Sequence, residues 1–323
     1  MTTHGDMIME YGGVPVGAGR LAKIFQAKNI FFVDYDTGQD GASGKKPTEA
    51  KQIPSAAVTD AVKEAIIYIR PRTTIACDVI YYPDNVVIPI TKPHIQLIGA
   101  GAGTIPGYRG GAQIRPLVVT SNVIEIQSAG VCIENLHINN DGTTTAIAAI
   151  RCGRSPTNPG AVAPQIRHCR IVANTTSAYG IALESAQYCI VEDNIFYECN
   201  IGVYMTATHA SPVAYTIRRN IFSGLVANRN CDIGINMTDI NSHGHIIDSN
   251  IFADGLPNKA GEFTTRFIFD TLAASSAATG IISNNMFASP SGGTAGAAGN
   301  KIMVAAGWFL SGNQDEDGPL PRT

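Results

Sequence analysis

Six charged residues crowd the middle of the chain: Glu184, Glu192, Asp193, Glu198, Arg218 and Arg219. Paired carboxylates cleave glycosidic bonds, one as acid and one as base or nucleophile, at a separation of about 5 to 9.5 Å. Two stacked repeats of a sheet would set side chains roughly that far apart, with strands about 4.8 Å from each other. Surface ion pairs produce the same composition, so the set marks where an active site would lie without establishing one. In "NSHGHIID", His243 and His245 stand two apart and would share one side of a strand. No third ligand is near them, and a solvent-facing turn is the expectation. "VGAGR" at Val16 lacks the lysine of a phosphate loop. "DYDTGQDG" at Asp34 carries Lys45 where a calcium loop needs glutamate, and it reads as a turn. No metal and no cofactor is expected.

The elements that position these residues are written as a repeat. "CIVEDNIFYE", "YTIRRNIFSG", "HIIDSNIFAD" and "GIISNNMFAS" share an aliphatic residue, two polar residues, Asn, and an apolar residue before Phe. With the aliphatic as origin, repeats begin at Ile133, Ile166, Val191, Ile217, Ile247 and Ile282, in steps of 33, 25, 26, 30 and 35 residues by subtraction. A shortest step with variable excess is the mark of a solenoid with loops of different length. A second short segment follows each first one: "AIAAI" at Ala146, "YGIAL" at Tyr179, "IGVYM" at Ile201, "IGINM" at Ile233 and "RFIFD" at Arg266. Each coil thus carries at least two β segments, as a parallel β-helix requires.

In such a stack, equivalent residues lie directly above one another and must tolerate their own kind. Asn194, Asn220, Asn250 and Asn285 form a column expected to hold a corner in left-handed geometry while their amides bond to one another. Phe196, Phe222, Phe252 and Phe287 form a second column inside the coil. One position after the aliphatic stand Glu134, Arg167, Glu192, Arg218, Asp248 and Ser283, with signs that alternate down the stack. That alternation reads as a structural ion ladder rather than an active site.

The chain has 323 residues, a net charge of −3 and 15% charged residues, which advertises neither a nucleic-acid nor a membrane surface. The first residues lack the basic flank and apolar run of a secretory signal. Seven cysteines form no CxxC pair and read as buried thiols of a protein made in a reducing cytoplasm. An arm over residues 1–30 would dock on a neighbour through Met7, Ile8, Met9 and Tyr11. Residues 31–72 would supply a strand, a turn and a capping helix from Ser55 to Arg70. The β-helix would occupy 73–312, and 313–323 would be an acidic tail.

The strand before "DGASGKKP", the helix, "VVIPITKPHIQLIGAG" and the Ile-x-x-Asn-x-Phe repeat resemble right-handed parallel β-helix proteins of the pectate-lyase-like superfamily. The resemblance covers about residues 30 to 310. The aspartate motifs of polygalacturonases and the calcium-binding aspartates of pectate lyases have no match here. Within the superfamily the entry pattern is most similar to bacteriophage virion β-helix proteins. That resemblance implies a homotrimer, made in the host cytoplasm and built into the virion. It would decorate the capsid through contacts with major capsid or tail proteins, without nucleic acid or membrane. The alternative is a tail fibre or tailspike protein that binds or depolymerises a host surface polysaccharide.

Overall fold

Short β-branched and aromatic segments separated by Gly, Asn and Asp turns satisfy their backbone groups by pairing with neighbouring segments. In the computed structural model each repeat pairs with the repeat before and the repeat after it. The structure describes residues 9–11, 14–16, 29–72, 81–100, 111–118, 120–140, 148–153, 161–173, 178–184, 186–206, 214–224, 233–238, 243–254, 266–270, 279–288, 302–304, 307–315 and 318–319. Among these, strands form three long sheets of ten, ten and eight. The first sheet runs from Asn29–Val33 to Trp308–Ser311, the second from Tyr81–Pro83 to Gly318–Pro319, and the third from Val86–Ile88 to Ile302–Met303. Pairing is parallel throughout except at the last strand of the second sheet. Every full coil therefore contributes one strand to each sheet, and the chain is an all-β parallel β-helix.

The repeat origins coincide with the register: Ile133 pairs with Ile166, Ile166 with Val191, Val191 with Ile217, Ile217 with Ile247 and Ile247 with Ile282. All six are fully buried. At the corner after them, the residue with positive φ is not the asparagine but the one before it. Asn135, His168, Asp193, Arg219, Ser249 and Asn284 all lie between 53 and 58°. The asparagine is left free to work with its side chain. Asn220 Nδ2 donates to Val191 O at 2.9 Å and to Asn250 Oδ1 at 3.0 Å, while Asn220 Oδ1 accepts from the backbone N and Nδ2 of Asn194. Asn194, Asn250 and Asn285 repeat this pattern, and Asn313 closes it.

Beside the ladder, Phe196, Phe222, Phe252 and Phe287 stack with centroids 4.6, 4.7 and 5.0 Å apart and planes within 12° of parallel. The rings lie against Gly180, Gly202 and Gly234 of the third sheet. A Cβ on Gly202 would stand 2.6 Å from the Phe222 ring and 2.5 Å from Gly234 O. The glycine in "YGIAL", "IGVYM" and "IGINM" is thus the mould for the phenyl column.

Several boundaries differ from the sequence expectation. The helix spans only Pro54–Asp60, with Ile53 rather than Ser55 at its N-cap and Pro54 opening the first turn. Its continuation becomes the strand Ala65–Ile69, buried at every position. The run Ile66-Ile67-Tyr68-Ile69 is β-branched and aromatic, and it pairs on both edges. The β-helix consequently begins at Asn29, not at residue 73. It also runs past residue 312: Gln314–Asp315 pairs with Met286 and Phe287, so the acidic tail starts as a strand. In the segment expected to form an arm, Met9–Tyr11 pairs antiparallel with Val14–Val16, while Met7 and Ile8 lie outside the described residues. The five described cysteines are buried.

His245 is the clearest correction. It is fully buried rather than solvent-facing, because Gly244, at φ 80°, opens a bulge between it and exposed His243. Its Nδ1 accepts from the Tyr215 N–H at 3.2 Å, and its ring lies between Tyr215 and Trp308. Burial, with a smaller contribution from His243, lowers its pKa to about 4.

Two predictions follow from this core. Phe222→Ala should cost about 3 to 5 kcal/mol, Gly202→Ala about 1 to 3 kcal/mol by overpacking, and Asn220→Leu about 1 to 3 kcal/mol by orphaning buried groups. Urea unfolding measures all three, and neutrality of the set would refute the register. Because folding depresses the His245 pKa, the unfolded chain takes up a proton first as pH falls. Stability should be full above about pH 6.5 and decline toward pH 4, by up to about 3 kcal/mol. His137, whose pKa burial lowers to about 3, adds in the same direction. Unfolding at stepped pH should show a shallower decline in His245→Gln, and an unchanged slope would refute the assignment.

Candidate functional site

On the third sheet, inward residues such as Ile126, Cys152 and Leu183 alternate with outward ones. The outward column reads Val87, Glu125, Arg151, Ala182, Tyr204 and Asn236 along the stack. At its N-terminal half it floors a cleft of about 480 Å³, walled by Asn85, Asn122, Tyr179 and Glu184. Arg151 donates from Nε and Nη2 to Glu184 Oε2, at 2.9 and 2.6 Å. Gln127 Nε2 donates to Glu125 Oε1 at 2.7 Å, and Asn122 Nδ2 reaches the other oxygen at 3.4 Å.

Main-chain contacts hold the wall in place. Asn122 Oδ1 accepts from Ala148 N at 3.0 Å, and Asn85 bridges Asn122 O and Val118 N. Tyr179 and Tyr204 stack with centroids 4.4 Å apart and planes 9° from parallel. Burial, then Tyr204 and Glu184, raises the Tyr179 pKa, so its hydroxyl remains a donor at neutral pH. The cleft therefore offers two carboxylates, one guanidinium, several amides and the rim of an aromatic pair. Such a mixture of polar groups around a flat apolar face suits a hydroxyl-rich ligand.

The six charged residues singled out in the sequence do not form one constellation. Glu184 lines this cleft. Glu192, Asp193, Arg218 and Arg219 meet at the corner between the first and second sheets. There Arg218 lies 2.7 Å from Glu192, and Arg219 joins Glu192 at 3.0 Å to Asp193 at 2.8 Å. The Arg219 hydrogen bond holds the Asp193 pKa down. Glu198 is buried elsewhere, at φ 54°, where the second sheet shifts register between Val172 and Ala173. In the alternating column, Arg167 lies 3.4 Å from Glu134, and Asp248 accepts from Ser283 at 2.6 Å and Asn284 at 3.0 Å. Burial opposes ionisation of Asp248, but these bonds and one from Ser249 outweigh it and keep its pKa low.

Glu125, Arg151, Tyr179 and Tyr204 were not found from the sequence. Aligning the second segments in columns would have placed Arg151 beside Ala182 and Tyr204. Glu125 lies in a coil whose repeat is not visible in the sequence.

No protein-family model matches the chain, and no curated protein matches it. Solved structures do. A pectate lyase, Pel9A, superposes with a TM-score of 0.51 at 12% identity, over 81% of this chain and 64% of the other. A pectin methylesterase from Aspergillus niger gives 0.48 at 12% identity, over 89% and 85%. A DFA-IIIase from Arthrobacter chlorophenolicus gives 0.49 at 11%, over 88% and 76%. At 12% identity the likeness to Pel9A is one of architecture alone, and it agrees with the three parallel sheets: the chain has a parallel β-helix fold.

Proposed function

We propose that this chain is a glycan-binding β-helix protein, with the role of a tail fibre or tailspike protein that grips a host surface polysaccharide. The observation that carries this reading is the cleft on the third sheet. It combines Glu125, Arg151 and Glu184 with amides and the ring of Tyr179, which stacks on Tyr204 behind it. Sugar rings present hydroxyls at their edges and C–H groups on their faces, and the cleft has partners for both. In this reading the coil is right-handed, as parallel crossovers nearly always are. The helix Pro54–Asp60 covers the open N-terminal end, since Ala57 and Val58 join the core with Ile67 and Ile88.

A second reading, a homotrimeric capsid decoration protein, is favoured by two exposed apolar columns. Ile246, Ile281 and Phe309 follow one another on the first sheet, with 40, 43 and 63% of their surface exposed. Ile221, Ile251 and Met286 do so on the second. Contiguous apolar patches of this kind mark protein contacts, and further copies of the chain are the occupants in this reading.

Calorimetric titration with capsule and lipopolysaccharide fragments tests the first reading. At least one fragment should bind without releasing new reducing ends, and Arg151→Ala and Tyr179→Ala should each weaken it about tenfold, or about 1.4 kcal/mol. Binding by no fragment would reject it. For the second reading, sedimentation should give a trimer that Ile281→Ser with Phe309→Ser converts to monomer. A monomeric wild-type chain would reject that reading.

A further inference from the structure

The outer faces of the first and second sheets change character at the same coil. On the first sheet, the outward position just before each repeat origin reads Gln96, Cys132 and Gln165, and then Ile190. On the second, the outward position after each ladder asparagine or its equivalent reads His137 and Arg170, and then Ile195. Gln165 and Arg170 belong to one coil, and Ile190 and Ile195 to the next. From there Thr216, Ile246, Ile281 and Phe309 continue the first column, and Ile221, Ile251 and Met286 the second, with no charged residue in either run. Two sheets that meet only at a corner have no internal packing reason to lose polarity at the same height. A single contact that covers both supplies one.

Between the columns runs the corner ridge of Glu192, Asp193, Arg218, Arg219 and Asp248, whose charges are engaged with one another or with Ser283 and Asn284. The ridge therefore makes no demand on a partner, and the apolar columns beside it carry the cost of exposure. Ile221, Ile251 and Met286 leave 37, 38 and 49% of their surface open, close to the values on the first sheet. Taking about 200 Å² for a large side chain, the six exposed residues present on the order of 500 Å². A standard interface removes about 800 Å² from each partner, a little over half of it apolar. Both columns together reach that apolar share, whereas either alone reaches about half of it. A two-fold contact through one column would leave the other wet.

We propose that the two columns are the two halves of one contact between copies of this chain: the first-sheet column of one copy lies against the second-sheet column of the next. The assignment rests on the homotrimer reading above and names the two faces that meet. Ile246 and Ile251 belong to one coil, as do Ile281 and Met286, so the apolar bands match in height when the stacks stand parallel. A contact of this heterologous kind covers both columns on every copy once the copies close into a ring. The corner ridge, which lies between the two faces, then points toward the ring axis.

Sedimentation of the full chain and of two double variants tests the contact. Ile281→Ser with Phe309→Ser disables the first-sheet column, and Ile251→Ser with Met286→Ser disables the second. Each variant alone should be monomeric where the wild-type chain is assembled. An equal mixture should form a one-to-one pair and nothing larger, because one intact column of each kind remains, and that pair should be at least about tenfold tighter than either variant with itself. In a second set, Ile246→Lys and Ile251→Glu should each weaken self-assembly about tenfold, and mixing the two should recover it, since opposite charges then face each other at one height. A monomeric wild-type chain, which leaves the columns to a different protein, overturns both this contact and the homotrimer reading. An assembled wild-type chain whose variants stay assembled, whose single variant pairs with itself, or whose mixtures remain monomeric overturns the contact and leaves the homotrimer standing.

Discussion

Parallel stacking in register is the constraint on which everything else in this structure depends. Each residue of a coil has its equivalents directly above and below, so a side chain is retained in a column only if it can satisfy or pack against its own kind. Asparagine meets that demand because its amide has two donors and an oxygen with two lone pairs. Asn220 uses all four valences within the stack: two donated by Nδ2 and two accepted by Oδ1. Where the column changes residue type, Cys169 takes up part of the same role. Its N–H donates to Asn194 Oδ1, and its thiol reaches Arg167 O at 3.3 Å. A weaker donor thus begins the ladder that Asn313 ends.

The corner separates two tasks that a single residue cannot perform together. Turning the chain needs left-handed geometry, which the ladder asparagine does not adopt; the preceding residue adopts it instead. That residue is variously Asn, His, Asp, Arg or Ser, which shows that polar tolerance of positive φ, rather than one side chain, is selected there. The cost is modest for each residue and is offset by the backbone bond each turn makes to the next coil, such as Asp193 N to Arg218 O at 3.3 Å. The phenylalanine column depends on a similar division of labour. Rings stack on one side of the core because glycines on the opposite sheet leave them room.

This division explains what could be read in the bare sequence. Ile217 and Ile247 repeat in type because burial restricts both to apolar residues that tolerate their own kind, and that repetition exposes the register. The short helix was overextended because Val58, Val62, Ile66 and Ile69 also fit a helical period. The choice between helix and strand was made by tertiary pairing of Ile66 and Ile67 with neighbouring coils, information absent from a local window. His245 was misplaced for a comparable reason: two residues of spacing implies a shared face only if no bulge intervenes, and Gly244 supplies one. The cleft was least legible of all, since Glu125 and Arg151 belong to an outward column whose members differ from coil to coil.

That difference is itself physical. Inside the coil a residue must match its neighbours above and below, so variation is penalised and the columns become uniform. On the outer surface water relaxes that demand, and only direct like-charge contact is discouraged. Glu125, Arg151 and Tyr204, all partly exposed, can therefore each take a different chemistry while their backbone remains in register. A β-helix is in this sense a rigid ruler with a freely written face. Its repeated positions determine where a surface group stands to within a strand spacing, and its unrepeated positions determine what that group can recognise. Ligand specificity in such a chain must arise from combinations across coils, as in the Arg151–Glu184 clasp, which no single repeat contains.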